Sequence, residues 1–167
     1  MWKGGFEVSD APFFVEYRVN WDDLDPNLHL RGAVLVDYAV NTQFAWLEHQ
    51  GIRQATLAGR GYDPIALRME ARFHHEATYN EIIKDIQVVV AASPDWSRWK
   101  IRHSYTKNDG EKVGWVVLEG TWLNWKTRQA VAPDADVVEA LGRLPRAEGF
   151  EELRSLIRSR GSAPMPD

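Results

Sequence analysis

The sequence predicts an α+β fold in which an antiparallel sheet wraps one long central helix and a helical tail follows. Three observations predict it. Residues 32–50 form a run with no proline and no interior glycine, apolar around most of a helical circumference. Five segments with strand-like alternation flank that run, one before it and four after. Short turns join the later four, which favours antiparallel neighbours. A helix apolar on most sides needs cover on most sides, and a curved sheet supplies it.

The 167 residues read as a single domain, 1–167, with a core over about 13–142 and a helical tail over about 145–160. A net charge of −4 gives no field for nucleic acid, and the absence of cysteine excludes disulfides, thiolate metal sites and a cysteine nucleophile. No apolar run reaches the roughly 18 residues of a membrane span. The start, MWKGGFEVSDAP, lacks an apolar signal core. A cytoplasmic protein with no membrane or nucleic-acid partner is the expectation.

Phe13 to Trp21 alternates, with Phe13, Val15, Tyr17, Val19 and Trp21 on one face. In the helix, Val34, Leu35, Tyr38, Val40, Phe44, Ala45 and Leu47 recur at spacings of three and four. Asp37, Asn41 and Glu48 form its polar strip. Gly51 follows, where a left-handed residue closes a helix. Residues 52–64 read as a connector. Ile65 to His75 alternates, Ile82 to Ala92 is β-branched, and Arg98 to Thr106 points Trp99, Ile101, His103 and Tyr105 inward. Asn108-Asp109-Gly110 is a hairpin turn. Lys112 to Trp125 is apolar on both faces, and Gly114 and Gly120 permit bulges or close approach. Asp134 or Asp136 caps a short helix through Leu144, and an amphipathic segment, Glu148 to Arg160, ends the chain. Five of the eight tryptophans lie beyond residue 95 and read as core and interface.

Chemistry concentrates in Trp21 to Arg31, a polar, turn-rich loop with Asp22, Asp23, Asp25, Pro26, Asn27 and His29 directly before the helix. The first N–H groups of a helix lack intrahelical partners and point toward such a loop. A carboxylate facing free N–H donors suits a reaction that builds negative charge on a carbonyl oxygen. Taken alone, Asp25 could equally be a cap or a loop-holding carboxylate. His74-His75 beside Glu70 or Glu76 suggests a metal, but neighbours on a strand point to opposite faces, so no metal site is expected.

The run Asp23-Leu24-Asp25-Pro26, then Leu28-His29, then Tyr38 and Trp46-Leu47 with Gly51 closing the helix, resembles the 4-hydroxybenzoyl-CoA thioesterase and YbgC-like acyl-CoA thioesterase family. The resemblance covers roughly residues 13–142 and implies the hotdog fold. It implies hydrolysis of an acyl-CoA or acyl-carrier-protein thioester, with no cofactor beyond the coenzyme A of the substrate, by a homodimer or homotetramer. Asp25, the second aspartate of the D-x-D run, then attacks the thioester carbonyl or activates a water that does. The backbone N–H at Gly32 polarises the carbonyl oxygen, and His29 orients Asp25 or the substrate. Arg31, Asp23 and Tyr38 complete the substrate-binding set, Arg31 toward a phosphate or carboxylate and Asp23 by holding the loop. The chain departs from the family where Leu28 replaces a small residue, often glycine. Arg31 and Gly32 stand where asparagines are frequent, and Gln43 stands where arginine is frequent. Two other functions fit less of the pattern. Asp23 to His29 approaches the enoyl-CoA hydratase pattern G-D-x-N-P-L-H with its histidine one residue late, and a non-catalytic acyl binder needs none of the carboxylates.

Overall fold

The computed structural model describes residues 12–157. The elements are β1 (Phe14–Arg18), α1 (Gly32–His49), α2 (Gln54–Gly59), β2 (Tyr62–Phe73), β3 (Ile82–Ala92), β4 (Arg98–Lys107), β5 (Glu111–Asn124), β6 (Ala130–Val131), α3 (Ala135–Gly142) and β7 (Arg146–Glu152). Seven strands make one sheet in the order β1-β3-β4-β5-β2, with β6 added to β5 and β7 to β3. Every pairing is antiparallel except β7 on β3. The sheet wraps α1, which is the hotdog arrangement. None of the described helices is long and apolar enough to cross a membrane.

Alternation produces the concave face. On β4 the inward residues Trp99, Ile101, His103 and Tyr105 are at most 3 % exposed, while Arg102 between them is exposed. β5 adds Val116, Leu118 and Trp122. Against these, α1 buries Val34, Leu35, Tyr38, Ala39, Trp46 and Leu47 and leaves Asp37, Asn41 and Glu48 in solvent. Burial of one such Leu contributes about 2 kcal/mol. Two polar contacts fix the helix on the sheet and on α3: Tyr105 Oη donates to the Leu35 carbonyl at 2.6 Å, and Trp46 Nε1 donates to the Ala140 carbonyl at 3.0 Å. Gly51 sits at φ +84°, the left-handed closure its position predicts.

One polar line crosses this core. Asp85 and His103, both 0 % exposed, face each other on β3 and β4, with Nδ1 of His103 3.0 Å from Asp85 Oδ2. A carboxylate only accepts, so Nδ1 carries the proton. The other ring nitrogen, Nε2, lies 3.3 Å from Gln43 Nε2 on α1. The glutamine that replaces a frequent arginine therefore tethers the helix to a buried acid–imidazole pair.

Gly114 and Gly120 are close-approach residues. A Cβ at Gly120 would overlap the Ile65 carbonyl and the Trp99 ring, and one at Gly114 would overlap the Arg72 carbonyl. Opposite Gly120, the β2 register shifts between Ala66 and Arg68, so the simple two-residue alternation of 65–75 breaks at Leu67.

Three expectations need correction. The tail over 145–160 is not helical where it is described: Arg146–Glu152 is a strand, and residues 158–160 lie outside the described residues. Gly149 at φ +76° interrupts a helix, while β1 covers only Ile82–Ile86 of β3 and leaves the rest of that edge for β7. The connector 52–64 contains α2, anchored by the fully buried Leu57, and β2 begins at Tyr62 with Pro64 tolerated on an edge strand. Trp21 is not on a core face; it is 64 % exposed and stacks on Tyr79 at 4.1 Å.

Candidate active site

The loop before α1 is a small hairpin. Leu24 and Leu30 form an antiparallel bridge, the Asp25 N–H donates to the His29 carbonyl at 2.8 Å, and the Leu28 N–H returns to the Asp25 carbonyl at 2.9 Å. Asp25-Pro26-Asn27-Leu28 has the residues of a type I turn: aspartate first, proline second, and a fourth position that prefers glycine. Leu28 occupies that fourth position at φ +63°. This accounts for the family's small residue there, since leucine adopts the left-handed region at a cost of about 1 kcal/mol or more.

The turn determines what Asp25 can do. Its Oδ1 accepts from the Asn27 N–H at 2.8 Å and the His29 N–H at 3.1 Å. The His29 N–H, with further help from Asn27, holds the partly exposed carboxyl below the usual carboxylate range. Asp25 is thus an oriented, ionised carboxylate in contact with solvent.

Asp23 lies beneath the loop. Its Oδ2 accepts from the Asn20 N–H at 2.8 Å and from Tyr38 Oη at 3.4 Å, and its carbonyl accepts from the Arg31 N–H. Tyr38 is buried, stacked on Tyr17 at 4.0 Å, and burial beside the Asp23 carboxylate pushes its phenol well above the usual range. Both residues brace the loop against α1. Arg31 is exposed, and its guanidinium donates to the Asp22 carbonyl at 2.6 Å.

At Gly32 no side chain caps the helix, so the N–H groups of Gly32 and Ala33 stay open. A Cβ at Gly32 would come within 2.5 Å of the Phe73 ring. The glycine leaves room for the ring of Phe73, the last residue of β2. Between them opens a cleft of about 260 Å³, lined by His29, Gly32 and Phe73 and closed by His74, His75 and Glu76. Of the residues predicted from sequence, His29 and Gly32 share this cleft. Asp25 does not line it but is hydrogen-bonded to His29, which does, and Asp23, Arg31 and Tyr38 do not line it either.

The His74–Glu76 wall was not foreseen. β2 ends at Phe73, so strand alternation does not govern His74 and His75, and both line the cleft. Their backbone N–H groups both donate to the Val113 carbonyl. His75 Nδ1 lies 2.9 Å from the Lys112 carbonyl, which only accepts, so that nitrogen carries a proton. Glu76 is held below the usual carboxylate range by its own backbone N–H and by the charges of His29, Lys107 and His75. Among the described residues no cluster of histidines and carboxylates has the arrangement of a metal site.

A model of the thioesterase-like superfamily matches residues 19–141. No curated protein matches the chain. Solved structures do. A 1,4-dihydroxy-2-naphthoyl-CoA thioesterase from Synechocystis is 12 % identical, with 79 % of this chain and 96 % of that one covered at a TM-score of 0.72. A Staphylococcus aureus protein in complex with CoA is 13 % identical, with 96 % and 100 % covered at 0.72. The DHNA-CoA thioesterase of Staphylococcus aureus is 14 % identical, with 78 % and 88 % covered at 0.71. At these identities the likeness is one of fold.

Proposed function

The chain belongs to the thioesterase-like superfamily, and we propose that it hydrolyses acyl-CoA thioesters with Asp25 as the catalytic carboxylate. One observation carries the assignment of the residue. Asp25 is held ionised, with two backbone N–H groups on Oδ1, in the turn of the hairpin that leads into α1. Both bonds fall on one oxygen, which leaves Oδ2 for the reaction.

In the simplest course Oδ2 takes a proton from a water whose oxygen adds to the thioester carbon. The carbonyl oxygen becomes an oxyanion facing the N–H groups of Gly32 and Ala33. Collapse breaks the C–S bond, the CoA sulfur leaves and takes up the proton, and the free acid remains. Direct attack by Oδ2 would give a mixed anhydride that water then cleaves; the same residues serve either course. No cofactor enters beyond the CoA of the substrate. His29 orients Asp25 through the backbone, and the exposed Arg31 is the cation nearest to hand for a CoA phosphate. Acyl-CoA chemistry makes the cytoplasm the expected compartment, which cell fractionation checks.

The proposed assembly is a homodimer through β2. That strand is a twelve-residue edge exposing Leu67, Met69 and Phe73, and an edge of this kind pairs readily. Because Phe73 also walls the cleft, a partner there would adjoin the site. A sedimentation mass of one chain at micromolar concentration would contradict the dimer.

The test of function is thiol release from short, medium, long-chain and aromatic acyl-CoAs and from acyl-carrier-protein thioesters, with Asp25→Asn alongside. Turnover by the wild type and a loss of roughly 100-fold or more in the variant supports both reaction and residue. Equal activity removes Asp25 from the mechanism. No cleavage anywhere on the panel removes the reaction.

A further inference from the structure

The outer face of the sheet, turned away from α1, carries charge of the opposite sign to the chain, whose net charge is −4. Strand alternation and register put Arg68, Glu70 and Arg72 of β2 on that side with Arg98, Lys100 and Arg102 of β4 and Glu119 of β5. Lys112 joins them beyond a register shift between β4 and β5. Both carboxylates are taken. Arg68 lies 3.2 Å from Glu70, and Arg98 lies 3.2 Å from Glu119. Arg72, Lys100, Arg102 and Lys112 have no carboxylate partner among the described residues.

The four free cations are spread out. Lys100 pairs in register with Glu119, Arg102 with Val117, Ser104 with Trp115, and Thr106 with Lys112; across β5, Trp115 pairs with Arg72. From Lys100 to the row of Lys112 is six residues, about 20 Å along the strands. Trp115 and Val117 sit half-buried in the middle. An apolar centre inside a charged rim is the anatomy of a protein interface.

The spread also selects among anions. A single phosphate group gathers cations around one point, whereas cations over about 20 Å match carboxylates along a helix of about 13 residues. A second copy of this chain suits the face poorly. Its own carboxylates there are already paired, so cations would meet cations. One end of the face adjoins the site: His74 lines the outer groove with Lys112 and Trp115, and it also lines the cleft at Gly32.

We infer that this outer face docks a small acidic protein that carries the acyl group as a thioester, with the acyl arm passing His74 into the cleft. That the cargo is a thioester rests on the thioesterase reading; that the face takes an acidic protein does not.

The test titrates the full chain with an acidic acyl carrier protein in its holo form. Binding should weaken about tenfold or more as ionic strength rises from low values to about 0.15 M. Lys100→Glu combined with Arg102→Glu should lower the low-salt affinity about tenfold or more at an unchanged melting temperature. The neutral pair, Lys100→Gln with Arg102→Gln, should lose less in the same direction and serves if the reversed pair does not fold. No binding, binding insensitive to salt, or full affinity in both double variants would each overturn the inference. So would loss of 3′,5′-ADP or of anionic phospholipid vesicles by those variants when the carrier protein itself does not bind. Thiol release separates this inference from the thioesterase reading. The charge-reversed variant should cleave acyl-CoA at the wild-type rate and the acyl-carrier thioester about tenfold more slowly. Binding that the variants lose, with neither thioester cleaved, removes the thioesterase and keeps the surface. Cleavage of both thioesters by the variants at wild-type rates does the reverse.

Discussion

The two ends of α1 treat polar groups in opposite ways. At its N-terminus Asp25 is fixed by two backbone N–H groups of a tight hairpin and Asp23 by the Asn20 N–H and the Tyr38 hydroxyl, and Asp25 remains in contact with solvent. Under its second half, Gln87, Trp99 and Trp122 are buried without partners in the protein, beside an Asp85–His103 pair that has them. Water makes the difference. A solvated carboxylate needs little from the protein to stay charged, so the loop's hydrogen bonds go into orientation. A buried amide has no solvent to fall back on, so each missing partner tells on stability. Geometry is therefore the vulnerable property at the first end and stability at the second.

The largest expected effect tests the buried end. His103→Leu leaves the Asp85 carboxyl buried without its imidazole and should cost about 3–5 kcal/mol in denaturant unfolding. Replacing both residues by leucine should recover most of that loss. If the double variant is as unstable as the single one, packing and not pairing dominates this region. Next comes Asp25→Asn, expected to lose roughly 100-fold in thiol release while its melting temperature stays within error. A variant that melts early would place Asp25 with the structural carboxylates. The pH profile sharpens this point. The folded carboxyl is shifted down, so its ionised form persists as pH falls to the usual carboxylate range of about 4 and is lost only below it. Activity should stay flat down to that range, and an acid limb near neutrality would point to an imidazole in the cleft instead.

Gly32→Ala is smaller. The new methyl meets an exposed phenylalanine ring that can swing away, so about 1 kcal/mol or less of stability is expected to go. Thiol release should fall about tenfold, because displacing Phe73 misplaces the substrate carbonyl. Phe73→Leu in the same chain should restore part of it. The smallest effect is at Leu28. Glycine there removes the left-handed strain and should stabilise by up to about 1 kcal/mol in thermal unfolding, with activity unchanged. A destabilised Leu28→Gly would mean that the leucine side chain holds the loop.

Local pattern made much of this legible. β3 matches its predicted bounds, β4 and α1 fall within a residue of theirs, and the four residues expected inward on β4 are all buried. Each of those segments carries its own period. The tail failed because its structure is set by a distant strand: Glu148 to Arg160 has a helical composition, but an uncovered stretch of β3 recruits Arg146–Glu152. The turn that holds Asp25 was legible in the polar, turn-rich run before the helix. His75 and Glu76 were not, because whether they wall the cleft depends on where β2 stops, which Gly114 and Val113 on β5 decide. The unpaired amide of Gln87 lies in an otherwise ordinary alternation and only the packed sheet reveals it.

The unequal margins of the sheet bear on how far the chain can polymerise. One margin is β2, long and apolar. The other is shared by β1 and β7, five and seven residues, running in opposite directions along β3 and bearing Arg146, Glu148, Glu151 and Glu152. No single incoming strand can be antiparallel to both. Among the described residues only the β2 margin is suited to growth, and in the proposed dimer two chains joined there would have used it up. Such a pair would be a terminus, not a seed for a fibre. Removing the chain from Arg146 onward would bare the end of β3 and give the proposed dimer a second place to grow.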